Sequence, residues 1–145
     1  MTASIYTLPA KRIGVSTAAA TVGLFTVAGG VIQLLGLWGR CTTAVGAGAV
    51  LATFNANPTA AGADSPLSIA SASLALAPAG TLISITGAVA AAPSISTGVG
   101  ALAGMTTPLL INPGVIEVTW AVGDAAGVFD FYCNWAPADQ GATVT

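Results

Sequence analysis

The chain has 145 residues, enough for one compact domain with a sizeable core. Only 6% of them are charged against 54% hydrophobic, and three Lys or Arg stand beside five Asp or Glu, for a formal net charge of -2. So few cations argue against nucleic acid as a partner, and two cysteines without a histidine argue against a zinc site or a histidine-based triad.

The scarcity of charge is uneven. From residue 41 to residue 116 the chain carries one charge, Asp64. A free monomer ordinarily needs roughly a quarter of its residues charged to stay in solution. Such a chain is therefore either membrane-embedded or covered by copies of itself or by a partner. The mean hydropathy of +0.86 overstates the large side chains available, because much of it comes from alanine.

Met1 to Ala10, with Tyr6 and Pro9, lacks the positive-then-apolar order of a secretory signal and reads as an extended N-terminal arm, leaving residues 11–145 as the domain. Lys11-Arg12 opens an uncharged run to Gly39 that is long enough to cross a bilayer as a helix. Gly14, Gly23, Gly29-Gly30 and Gly36 interrupt it, as do Ser16, Thr17, Thr21, Thr26 and Gln33. The Gly29-Gly30 pair reads as a turn between extended segments at Thr21–Val27 and Val31–Leu37. Ala49–Phe54 follows and runs into a turn cluster, Asn55-Ala56-Asn57-Pro58. Short strands at Pro66–Ile69, Leu74–Leu76 and Leu82–Thr86 are bounded by Asp64-Ser65, Pro78-Ala79-Gly80 and Gly87. Ala88–Thr107 has no usable period and reads as a long loop or irregular edge segment.

Near the carboxyl terminus Ile116, Val118, Trp120 and Val122 fall on one face, with Glu117 and Thr119 on the other. Beyond Gly123-Asp124-Ala125-Ala126-Gly127 the alternation resumes: Phe129, Phe131, Cys133 and Trp135 face one way, Asp130, Tyr132 and Asn134 the other. Period-two patterning on both sides of a Gly-bounded turn predicts a β-hairpin, ended by Pro137. Short strands between Gly, Pro and Asn turns predict an all-β, single-domain antiparallel β-sandwich or barrel, jelly-roll-like, with no membrane partner. A transmembrane barrel would need strands of about ten residues and aromatic girdles.

No catalytic constellation is visible, and neither enzyme activity nor a cofactor is expected. Cys41 and Cys133 read as small buried hydrophobes, and the sequence leaves open whether they meet. Asp124, Asp130 and Asp139 could pair for acid/base work or calcium, but turn initiation is the simpler reading. Gly98 and Gly100 lack the Gly-Lys-Ser/Thr of a phosphate loop. Trp120 and Trp135 are expected in the core. Trp38, beside Gly36, Gly39 and Arg40, is either core or an anchor in a subunit contact, where Trp and Arg are favoured. Tyr132 suits a cross-strand contact, a sugar or a partner. Outer faces of Ser, Thr, Ala and Gly leave the sheet edges poorly protected, which points to an obligate oligomer. Candidate contact residues are Tyr6, Lys11, Arg12, Trp38 and Arg40.

Several segments taken together resemble small tailed-phage virion proteins, especially capsid decoration or cement proteins. Lys11-Arg12-Ile13-Gly14-Val15-Ser16-Thr17-Ala18 resembles their first strand, and the run from Phe25 through Gly29-Gly30 to Gly39 their first hairpin. Asn57-Pro58-Thr59, the run from Gly80 to Gly87, and the run from Asn112 to Val118 are further matches. Gly127-Val128-Phe129 through Trp135-Ala136-Pro137 and the tail from Asp139 to Thr145 resemble their closing strand. The resemblance covers most of the chain from Lys11 onward and lies in the joint order of strands and turns. The abundant alanine and the two cysteines depart from it. It implies a β-sandwich or barrel, made in the host cytoplasm, that sits as a homotrimer on the virion exterior and bridges major capsid protein subunits. A head-fibre, tail or baseplate adhesin for a host sugar is the alternative, and a membrane-inserted or pilin-like subunit a third class.

Overall fold

The computed structural model describes residues 8–60, 62–98 and 100–145; Tyr6 and most of the expected N-terminal arm lie outside these residues. Among the described residues the chain forms strands and no helix. In chain order they are β1 (Ala10–Ser16), β2 (Ala20–Ala28), β3 (Ile32–Thr43), β4 (Leu51–Pro58), β5 (Ser65–Pro66), β6 (Leu82–Ser84), β7 (Ser94–Ser96), β8 (Leu109–Ile111), β9 (Gly114–Ala121), β10 (Val128–Pro137) and β11 (Thr143–Val144). The run from Ile13 to Gly39 is divided among β1, β2 and β3, and no helix among the described residues is long and apolar enough to cross a membrane.

Two antiparallel sheets pack face to face as a β-sandwich. The front sheet has the order β1-β10-β3-β6-β7, with β8 also pairing with β3; the back sheet has the order β11-β2-β9-β4-β5. Alternation supplies the inner faces. Leu34, Leu37, Phe129, Phe131 and Cys133 come from the front sheet, and Val27, Phe54, Ile116, Val118 and Trp120 from the back. Aromatic rings join the layers: Phe54 meets Phe131 at 5.8 Å between centroids and Trp120 meets Phe129 at 5.7 Å.

Both expected hairpins are corrected. β2 pairs with β9 and β3 pairs with β10, so the Gly29-Gly30 turn crosses from back sheet to front. Likewise β9 belongs to the back sheet and β10 to the front, and the Gly123–Gly127 turn crosses between them. Alternation tells which face of a strand is buried, not which strand lies beside it. Tertiary contacts fix the crossings. At the β9–β10 turn, Asp124 N–H donates to the Thr17 carbonyl at 3.0 Å, and the buried Thr17 hydroxyl donates to the Asp124 carbonyl. Gly123 lies so close to the Ala18–Ala19 backbone that a Cβ would collide with it. At the β2–β3 turn, Gly29 has φ +76, and Asp139 Oδ2 accepts the Val31 N–H at 2.8 Å. The two crossings lie at opposite ends of the sandwich.

Other expectations need revision at strand ends. β4 continues through Asn55–Pro58, where a turn is expected, because its ladder with β9 runs as far as Pro58 beside Gly114. Leu74–Leu76 is not a strand. Residues 67–74 instead follow β4 irregularly, and the hydroxyls of Ser71 and Ser68 accept the N–H groups of Ala52 and Phe54 at 2.9 and 3.1 Å. Val122 leaves the inner face, is exposed, and takes φ 52 at the start of the crossing. Trp135 is only half-buried, because the β10–β3 ladder shifts register between Asn134 and Trp135. Glu117, expected on the outer face, is buried there among its neighbours. The described residues of the 88–107 segment are irregular as expected, except for the short edge strand β7.

Several edges are better protected than the composition suggests. β5, β7 and β11 have two, three and two residues. Of the longer edges, β2 pairs with β11 only at Val27 and Ala28, whereas β1 carries Lys11 and Arg12 and a register shift around Gly14, whose N–H donates to Asp130 Oδ1 at 3.0 Å. Short edges, cations and bulges each discourage strand addition.

Candidate functional site

The outer face of the front sheet gathers most of the chemistry this sequence possesses. Lys11, Tyr132, Trp38 and Ser84 stand side by side in register on β1, β10, β3 and β6. The Trp38 and Tyr132 rings stack at 4.1 Å between centroids and 13° between planes. Lys11 Nζ lies 5.4 Å from the Tyr132 centroid and 3.8 Å from Asp130 Oδ2. Trp38 Nε1 donates to Asn134 Oδ1 at 3.0 Å, which fixes the indole. Gly36 makes room for that amide, since a Cβ there would meet Asn134 Oδ1 at 3.2 Å.

With one ring face on Tyr132, the indole also lines a shallow cleft of about 270 Å³ with Leu82, Ile83, Ser84, Leu102 and Gly104. Arg40 lies two residues farther along β3, opposite Leu82, and is exposed. It makes no ion pair among the described residues. The structure thus brings Lys11, Trp38 and Arg40 onto one face. Arg12 pairs opposite the inward-facing Phe131, so alternation turns it to the other side of the edge strand. Sequence reasoning missed Asn134 and Leu102. The first alternates with Asp130 and Tyr132 and was legible as a companion of Tyr132. The second comes from an irregular loop and carried no signal.

The back sheet presents a different outer face. Thr21, Thr119 and Thr53 form a row across β2, β9 and β4, with the first two hydroxyls 2.9 Å apart. Glu117 is the one charged residue in its strands. Between β4, β5 and β9 of this sheet and β8, a groove of about 190 Å³ has apolar walls such as Leu67, Leu109 and Val115 beside the polar Asn57, Ser65 and Asn112, and no charged residue. Leu110 and Val89 on its border are 72% and 43% exposed.

The remaining reactive groups serve structure. Cys41 and Cys133 are free, buried thiols on neighbouring strands, and no disulfide joins them. Burial pushes Cys133 up to about 12 and raises Cys41 as well, so neither is a ready nucleophile. Asp124 accepts the N–H groups of Ala126 and Gly48 at 2.9 and 3.1 Å, and these bonds hold its carboxyl below the usual carboxylate value. Asp139 and Asp130 receive the backbone N–H groups of Val31 and Gly14, so all three aspartates act at turns or a bulge. No cluster of three or more His, Cys, Asp or Glu among the described residues is placed to hold a metal. Comparison with protein-family models, curated proteins and solved structures finds no match for the chain.

Proposed function

We propose that the chain is a non-catalytic structural virion protein, a decoration or cement protein that binds the outside of a phage head as a homotrimer. The observation that supports this most is the uncharged groove bordered by exposed Leu110 and Val89, continuous with a back sheet whose strands carry one charge. Apolar surface of this kind is stable in water when another protein covers it. At the β1, β5 and β7 edges, cations, a register shift and short length favour association through faces and grooves over strand addition. The segment-by-segment resemblance to phage decoration proteins supplies the setting and the trimer.

In that setting the mechanism is additive. A trimer touches several major capsid protein subunits at once, so modest individual contacts act at high effective concentration. Binding only the expanded lattice stabilises that lattice by linkage. Light-scattering mass of the detergent-free protein tests the first step. Three times the 14.0 kDa chain mass is expected, and Leu110→Glu, which puts a carboxylate into the groove, is expected to return the single-chain mass. Sedimentation of the trimer with expanded heads, and not with unexpanded ones, tests the second.

A further inference from the structure

The stacked aromatic pair has a polarity that the structural role does not use. Tyr132 is covered on one side by Trp38, and the Lys11 ammonium lies over its ring. The small Ser84 is the neighbour of Trp38 on the other side, across the β3–β6 ladder, so a second ring face of the indole is left to the cleft. That cleft also has Leu82 and Leu102 as apolar walls. Arg40, opposite Leu82 on one side and Asp130 on the other, lies next to the cleft with five N–H donors; Asp130 is taken up by Lys11 and the Gly14 N–H, and Arg40 makes no ion pair among the described residues. Asn134, held by the indole N–H through Oδ1, keeps its Nδ2 free of any hydrogen bond among the described residues.

An indole face suits the apolar C–H face of a pyranose ring, and a neighbouring guanidinium suits a carboxylate in bidentate geometry. On this outer face the cations Lys11 and Arg40 outnumber the one acid, Asp130, while Arg12 turns to the other side of β1. The local balance therefore favours an anionic ligand over a neutral one. We propose that the Trp38 cleft is a binding site for an acidic saccharide, whose ring stacks on the indole while its carboxylate meets Arg40 and its hydroxyls reach the Asn134 amide. The site goes beyond the structural role above and does not depend on it, because it occupies the face opposite the groove-bearing back sheet.

Calorimetric titration of the full chain with trigalacturonate and sialyllactose, beside maltotriose and lactose as neutral counterparts, tests the site. Saturable binding of at least one acidic saccharide is expected, about tenfold tighter than its neutral counterpart. Arg40→Gln should remove that tenfold preference, and Trp38→Ala should abolish binding while the far-ultraviolet circular dichroism stays unchanged. Trp38→Phe, which keeps an aromatic face, should recover part of the affinity if Trp38→Ala disturbs the sheet. Absence of saturable binding by both acidic saccharides at roughly millimolar concentration would overturn the proposal. So would equal binding of the neutral ones, or affinity undiminished in the Trp38→Ala variant.

Discussion

The two sheets share one core but differ on their outer faces. The outer face of the front sheet carries Lys11 and Arg40, the Lys11–Asp130 ion pair and the Trp38–Tyr132 stack. The back sheet carries a row of threonines, a single carboxylate and, where it meets β8 of the front sheet, an uncharged groove. The scarcity of charge in this sequence is therefore not spread evenly over the molecule. One outer face holds paired and exposed charges, and the other is almost without charge. A composition total could not show that division, because it arises when β1 and β3, distant in sequence from β10, are laid on either side of it.

The contrast between inside and outside is sharpest on β10, where neighbouring residues face opposite ways. Phe131→Ala removes a buried ring and is expected to cost about 3–5 kcal/mol of unfolding free energy. Tyr132→Ala, one residue on, should cost only about 0.5–1.5 kcal/mol through the lost stack. Urea unfolding of both variants checks this, and similar losses would mean that the two faces of the front sheet are not distinct.

A smaller effect concerns how the sheets are joined. The Asp124 carboxyl is held below its ordinary value, chiefly by the Ala126 N–H and then by that of Gly48. A depressed carboxylate contributes stability that is present above the unfolded value, about 4, and is lost as the pH falls through the folded one. The urea midpoint should therefore fall on acidification below about pH 4, and Asp124→Asn should flatten that fall. An unaltered acid limb in the variant would show that the crossing does not rely on this charge.

Val122 offers a gain in stability. It is exposed and β-branched at φ 52, a region that costs such a residue roughly 1–2 kcal/mol. Val122→Gly is expected to stabilise by about 0.5–1 kcal/mol, read as a higher melting temperature, since glycine's extra unfolded-state freedom offsets part of the relief. The smallest change is Lys11→Gln. Its ion pair spans 3.8 Å with a half-exposed lysine, so the loss should be about 0.5 kcal/mol or less and should vanish in high salt.

The inner faces were legible in the sequence wherever alternation held. Ile116, Val118, Trp120, Phe129, Phe131 and Cys133 all point where period two puts them. Alternation failed at Trp135 because a register shift changes the phase, and at Val122 because the strand has already ended. Strand neighbours were not legible. Gly-bounded turns serve a hairpin and a crossing equally, and the deciding contacts, Thr17 with Asp124 and Asp139 with Val31, are more than a hundred residues apart in sequence. Of the candidate site, Lys11, Trp38, Arg40 and Tyr132 could be singled out as residues that the core does not require. Their meeting in one place depends on the β1-β10-β3 order, which no local pattern encodes.

The proposal that the uncharged groove is covered in a trimer is tested most directly by the solution mass of the protein without detergent. Light scattering of the wild-type chain and of Leu110→Glu at equal concentration should give three times 14.0 kDa for the first and 14.0 kDa for the second. A wild-type chain that stays at the single-chain mass would contradict the account, because the groove would then be stable in water uncovered.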